Sequence, residues 1–268
     1  MPTTENNAET PTTVDFSDAV TTMPHRTPFQ RLLNRLGRGY GILPFPVAFN
    51  STLANAGDRD AVFAEIYEKN IWGSAESGSG PGSELGRTER YRGELLSFLK
   101  RRSVRSMFDA PCGDLNWMAL VLDQWPMEYA GGDISEMAIA AARQRRPEVE
   151  VRLFDICRDP FPDAQMWHCR DTLFHLSFAD IWLAFENVGR SGVERVLITT
   201  NSARLMTNLD VPTGGFRYLD LERAPFNLPR PEEYLRDTDD DGFPRFVGVW
   251  PIEAIRASID RAAANRRT

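Results

Sequence analysis

Between residues 103 and 200 the chain alternates short apolar runs with longer mixed stretches. Runs at 104–110, 129–134, 149–154, 166–169 and 195–200 have the length and the β-branched or aromatic content of strands. Between them, 115–122, the Ala-rich 136–145 stopped by Pro147, and 177–188 carry helical patterns. Strands separated by helices of this length imply right-handed crossovers and a parallel sheet covered on both faces. A further β-rich run, 246–250, is expected to close the sheet as an edge strand. No internal repeat is visible.

Upstream the pattern is helical. Phe29, Leu32, Leu33 and Leu36 recur at helical spacing until Gly37, Gly39 and Gly41 break the run. Helices are also expected over 58–70 and 88–101, the second with Tyr91, Leu95, Leu96, Phe98 and Leu99 as its apolar positions. Between these two lies a Gly/Ser loop running from Trp72 to Ser83. Its composition suits a linker, yet a Trp at its head and charge within it are unusual for a spacer. Residues 1–25 are polar and read as a disordered tail, without the basic-then-apolar order of a secretory signal.

The organisation expected is therefore a tail (1–25), a helical region (26–102) whose Gly/Ser loop covers the site, and an α/β domain (103–268). A substrate-binding excursion falls at 201–245. The fold class is α/β, a Rossmann-like doubly wound and mostly parallel sheet with an N-terminal helical cap.

Composition narrows the partners. With 31 basic against 38 acidic residues the net charge is −7, which argues against nucleic acid. Three cysteines without metal-finger spacing fit a reducing compartment, so a cytoplasmic location is expected. No apolar run approaches the ~20 residues that span a bilayer. Oligomeric state stays open.

Candidate chemistry sits where the strands end, because ligands of open α/β sheets bind at the carboxyl ends. The first strand runs into Asp109-Ala110-Pro111-Cys112-Gly113-Asp114, of which only Gly113 matches a D-x-G-x-G-x-G nucleotide turn. The second ends at Asp133-Ile134, with the acid twenty residues past Gly113, where ribose hydroxyls are usually held. The third ends at Asp155-Ile156. An ordinary turn and two helix-capping acids are the competing reading. After the fourth strand, Arg170 and Asp171 precede His175, the best candidate for a general base. One helical turn would put Asp171 and His175 on one face, so that Asp171 orients the imidazole or holds a metal. His168 reads as a core or edge residue. Asp237-Thr238-Asp239-Asp240-Asp241-Gly242 mimics a calcium loop, but Gly248 stands where a bidentate Glu is needed, so a solvated acidic loop is the better reading.

Five stretches together resemble bacterial class I S-adenosylmethionine (SAM)-dependent methyltransferases linked to polysaccharide and surface-glycan biosynthesis. They are Asn70-Ile71-Trp72-Gly73-Ser74 with Glu76-Ser77 and Gly80-Pro81-Gly82-Ser83; Thr88 with Arg92; Asp109 to Asp114 with Asn116-Trp117-Met118; Cys169-Arg170-Asp171 with Leu173 and His175-Leu176-Ser177-Phe178; and Pro225-Phe226-Asn227 with Pro229. The resemblance covers roughly residues 66–255. A narrower likeness is to mycobacterial sugar O-methyltransferases. The resemblance implies that SAM is the cofactor, touched by Trp72, Arg92, Asp109, Pro111, Gly113, Asp133, Ile134, Asp155, Ile156 and Arg170. Within that set Asp155 would face the adenine amino group, Arg92 would pair with the methionine carboxylate, and the Trp72 loop would fold over the cofactor.

The activity expected is O-methylation of a sugar or oligosaccharide precursor, with His175 and Asp171 catalytic. Thr200, Asn201, Arg217, Tyr218 and Asn227 supply hydroxyls, amides, charge and an aromatic face for the acceptor. A divalent metal such as Mg is not required by any spacing, although Asp171, His175 and Glu186 could supply ligands. The alternatives are a non-sugar small metabolite as acceptor, or a non-catalytic cofactor-binding subunit.

Overall fold

The computed structural model describes residues 59–201, 207–237 and 245–265. The expected tail and the helix around Phe29 lie outside them, as does most of the acidic 237–242 stretch. In order, the elements are α1 (Arg59–Glu68), α2 (Leu85–Arg102), β1 (Ser106–Asp109), α3 (Met118–Leu122), β2 (Glu128–Asp133), α4 (Glu136–Arg145), β3 (Glu150–Leu153), β4 (Met166–Cys169), α5 (Phe178–Gly189), β5 (Arg195–Asn201), β6 (Glu233–Arg236), β7 (Arg245–Pro251) and α6 (Ile252–Asn265). Two 3-10 turns, Pro81–Ser83 and Leu173–His175, complete the set.

The strands form one seven-stranded sheet in the order β3-β2-β1-β4-β5-β7-β6. The first five are mutually parallel, and β7 runs antiparallel to both β5 and β6. β1 and β4 lie centrally and are apolar enough to be buried on both faces: Phe108 and Trp167 are inaccessible to solvent. One face packs on α1, α5, α6 and the 207–232 excursion, through residues such as Ile66, Phe185, Ile255 and Phe226. The other packs on α2, α3 and α4 through Leu95, Phe98, Val121 and Ile139. Burying residues of this size contributes about 1.5–3 kcal/mol each, before the entropy of ordering them.

Local chemistry sets the helix starts. Ser135 accepts from the backbone N–H of Ala138 at the head of α4, and Ser177 from that of Asp180 at the head of α5. α2 ends at Ser103 in the left-handed conformation, after Lys100, Arg101 and Arg102 in its last turn.

Two sequence expectations need correction, and one element joins those expected. The 246–250 strand is not the sheet edge: β7 sits between β5 and β6, and the short charged β6, placed by sequence within the substrate excursion, takes the edge. Charged side chains such as Glu233 and Arg236 suit an edge strand, because they discourage further pairing. The helix expected over 115–122 begins only at Met118, since Leu115 has φ +57° and the chain is still turning. The C-terminal helix α6 is an addition to the elements expected from sequence, although Ile252, Ile255 and Ser258 bury one of its faces at helical spacing.

Candidate active site

Four adjacent parallel strands end on one side of the sheet, and a cleft opens there. β1, β2 and β3 deliver Asp109, Asp133 and Asp155 to its wall, and the chain after β4 delivers Arg170, Asp171 and His175. Trp72, Pro111, Gly113, Ile134 and Ile156 also line it. Eleven residues singled out from sequence therefore share one cavity.

The β1 turn is built around a hydrogen bond to the next strand. The N–H of Gly113 donates to Asp133 Oδ2 at 2.9 Å, and the N–H of Ser135 donates to Oδ1 at 2.9 Å. Gly113 has φ +57°, and a Cβ there would lie 2.2 Å from Ser79 Oγ. Glycine is thus required both by backbone conformation and by the loop pressed against it. Asp133 is 3% exposed, and burial pushes its carboxyl up to about 6, against the lowering pull of the two N–H donors.

The Gly/Ser loop is tied down rather than free. Ser77 Oγ donates to Asp114 Oδ1, Asn116 Nδ2 donates to Glu76 Oε1 and to the Ser83 carbonyl, and Tyr67 OH bonds to Ser79 Oγ. Together these hold Trp72, Ser79 and Ser83 against the cleft.

At the β1/β4 floor, Asp109 Oδ1 lies 2.6 Å from His168 Nδ1, and Tyr91 OH lies 2.9 Å from His168 Nε2. Tyr129 OH donates to Asp109 Oδ2 at 2.7 Å. His168 is a buried core residue, yet its ring also borders the cleft. The pairing of Asp109 with His168 follows from the β1–β4 register and was invisible until strand order was known. Arg170 is buried beside this chain, its guanidinium over the rings of Tyr91 and Trp117, and forms a two-point ion pair with Asp237 at 3.0 and 2.9 Å.

His175 packs on Trp72 and Phe216, with ring centroids 5.4 and 5.7 Å away. Its Nδ1 is 2.8 Å from the Gly215 carbonyl. A carbonyl only accepts, so Nδ1 carries the proton and Nε2 is left as an acceptor. Desolvation lowers the imidazole to about 4, and the nearby charge of Arg217 adds to that shift. The ring is neutral at physiological pH.

The expected Asp171–His175 pairing is not formed. Asp171 has φ +56° and precedes a 3-10 turn, so the two residues never share a helical face. Its carboxylate instead meets Arg170 at 3.2 Å, Arg245 at 3.4 Å and the hydroxyl of Thr199 at 3.3 Å. Among the described residues no group of three or more His, Cys, Asp or Glu is placed to hold a metal ion.

Arg92 does not reach the cleft either. Its guanidinium turns back onto its own helix, to the Leu85 carbonyl and Thr88 Oγ1. The proposed acceptor residues also lie outside the lining. Thr200 and Asn201 fasten the excursion to β5 through Leu219 and Leu221, and Asn227 is exposed. Tyr218 is buried against Phe216. Arg217 is buried, with Nη1 donating to the carbonyls of Phe174 and Leu176 while Nε and Nη2 have no hydrogen-bond partner among the described residues.

Sequence reading missed the face of α1. Arg59, Phe63 and Tyr67 recur at i, i+4, i+8 and all line the cleft. The spacing was present in the sequence, but a polar–aromatic face does not look like a binding face until a cleft lies under it.

No family model matches the chain, and no curated protein matches its sequence. Solved structures do. The magnesium protoporphyrin IX methyltransferase of Synechocystis PCC 6803 with bound SAM superposes with a TM-score of 0.51 at 13% identity, over 73% of this chain and 98% of that one. A bacterial CtHen1 methyltransferase domain gives 0.48 at 16%, over 63% and 100%. The sugar N-methyltransferase KedS8 from Streptoalloteichus sp. ATCC 53650 gives 0.37 at 19%, over 47% and 55%. The first of these likenesses, at its low identity, defines the fold: the chain has the Rossmann-like architecture of class I methyltransferases.

Proposed function

We propose that this chain is a SAM-dependent O-methyltransferase acting on a hydroxyl of a sugar or oligosaccharide precursor. The observation that carries the reading is the placement of two strand-end carboxylates, Asp133 and Asp155, in the same cleft as a neutral histidine with its Nε2 open as an acceptor. The donor set suits the cofactor. Buried Asp133 offers acceptors for a ribose diol, Asp155 for an amino group, and Gly113 lets backbone approach closely.

Bound SAM supplies an electrophilic methyl carbon on sulfur. The protein's own task is to align the acceptor and take up one proton. Positioning is the larger effect, about 7 kcal/mol or more where the two reactants are held in line. Bound SAM would give its methyl carbon to the acceptor oxygen and keep the C–S electron pair on its sulfur. The hydroxyl proton passes to His175 Nε2 and then to solvent. A base held near 4 pulls weakly on an intact hydroxyl, so this transfer belongs late in bond formation, when the oxygen has become acidic.

The aromatic surround of His175, formed by Trp72, Phe174 and Phe216, supports a carbohydrate acceptor, since apolar sugar faces pack on such rings. Arg217 lies just behind this wall, its Nη1 held by the carbonyls of Phe174 and Leu176. The test is transfer of labelled methyl from SAM to a panel of oligosaccharides, with product mass spectrometry. Methylation of only non-carbohydrate metabolites would replace the sugar assignment with a small-metabolite one.

A further inference from the structure

Arg59 opens α1 and joins two acidic groups, Asp155 just after β3 and Asp180 in the first turn of α5. Its Nε and Nη2 donate to Asp155 Oδ2 at 3.3 and 2.7 Å, and Nη1 donates to Asp180 Oδ1 at 2.7 Å. The Asp155 side chain is 2% exposed. Its other oxygen, Oδ1, accepts from the N–H of Cys157 at 2.8 Å. A carboxylate oxygen has two acceptor positions. Arg59 fills both on Oδ2, and Cys157 fills one on Oδ1. Among the described residues one acceptor position remains, on a carboxylate that cannot rotate and is charge-paired with an arginine fork.

We propose that Arg59 is a positioning residue for base recognition, selecting a 6-aminopurine over a 6-oxopurine by holding Asp155 as a fixed hydrogen-bond acceptor. The assignment rests on the reading of the cleft as a SAM site with the purine beside Asp155. A 6-amino group donates to the remaining lone pair. A 6-oxo group brings its own lone pairs against that carboxylate, and nothing there can turn to donate. Without the fork, Asp155 is a buried acid facing Asp180 unneutralised, free to rotate or to take a proton and donate. Arg59 thus does not need to touch the base to decide which base fits. Phe63 and Tyr67, one and two turns further along α1, continue the same wall.

The test compares binding of S-adenosylhomocysteine and its 6-oxo analogue S-inosylhomocysteine by calorimetry, on the full chain and on Arg59→Met, Arg59→Lys and Asp180→Asn. The wild type is expected to favour the adenosyl ligand by about 100-fold, the worth of one hydrogen bond to a charged group. Arg59→Met should weaken S-adenosylhomocysteine and shrink that ratio at least tenfold. Arg59→Lys, with one nitrogen where three act, should fall between. Asp180→Asn, which leaves the Asp155 contacts in place, should keep the wild-type ratio. If Arg59→Met is unfolded by circular dichroism, the lysine variant decides. A wild-type ratio in either folded Arg59 variant overturns the assignment. Failure of the wild type to bind S-adenosylhomocysteine overturns the SAM reading itself, and this assignment with it.

Discussion

The backbone N–H of Gly113 donates to Asp133 Oδ2 at 2.9 Å, joining the ends of β1 and β2 through one hydrogen bond. That contact explains how a turn with a single glycine of the usual nucleotide pattern still brings backbone close to a strand-end acid. It also makes the two residues the most direct points at which to perturb the cleft.

Asp133→Asn should weaken S-adenosylhomocysteine binding about 10- to 100-fold, the worth of charge-assisted hydrogen bonds to a ligand diol. The folded carboxyl, at about 6 against 3.8 when free, keeps its proton in a range where the unfolded chain has lost it. Its contribution to stability therefore falls as pH rises from 3.8 to about 6. Binding runs the other way, because the ionised form accepts the diol better. Affinity should rise by up to about tenfold per unit up to pH 6 and level off above it. Calorimetry across pH checks both, and the Asp133→Asn variant, with no carboxyl to titrate, should show no such step.

Gly113→Ala combines a left-handed backbone with a methyl group 2.2 Å from Ser79 Oγ. A loss of about 1–3 kcal/mol is expected in urea unfolding. In a Ser79→Gly background, which itself lacks the Tyr67 bond, Gly113→Ala should cost only the backbone part of about 1 kcal/mol. An equal cost of Gly113→Ala in the two backgrounds would show that the loop does not press on the turn.

His175→Ala should lower kcat about 10²- to 10⁴-fold while S-adenosylhomocysteine binding changes little. With the folded imidazole at about 4 against 6.5 when free, this group favours the native state above 6.5. That contribution is lost as pH falls from 6.5 towards about 4, the opposite sense to Asp133. A His175→Gln variant should accordingly lose less stability than the wild type on acidification. Wild-type kcat in His175→Ala would remove the residue from the mechanism.

Asp237→Asn leaves buried Arg170 without its two-point carboxylate partner. Burial opposes ionisation of Asp237, but Arg170 and Arg245 prevail and hold its carboxyl below the ordinary value. The variant should be about 3–5 kcal/mol less stable, with an unchanged urea m-value. Loss of that size would place the ion pair among the main supports linking β4 to the far edge of the sheet.

Several parts of this architecture were legible in the linear chain. Strand–helix alternation from 103 to 200 follows from periodicity and local propensity, which act over a few residues, and the parallel core β1–β5 matches it. Strand-end acids such as Asp133 and Asp155 were readable for the same reason, since a parallel strand always delivers its last residues to one side. What only tertiary structure decided depends on contacts between distant segments. The order β5-β7-β6 put an expected edge strand inside the sheet. Left-handed backbone at Asp171 undid the helical-turn pairing with His175 and gave the imidazole to Gly215, forty residues on. Asp109 met His168 through strand register, and Arg59 reached Asp155 across ninety-six residues. A local pattern says which face a side chain occupies, whereas the partner on that face is chosen by packing of the whole chain.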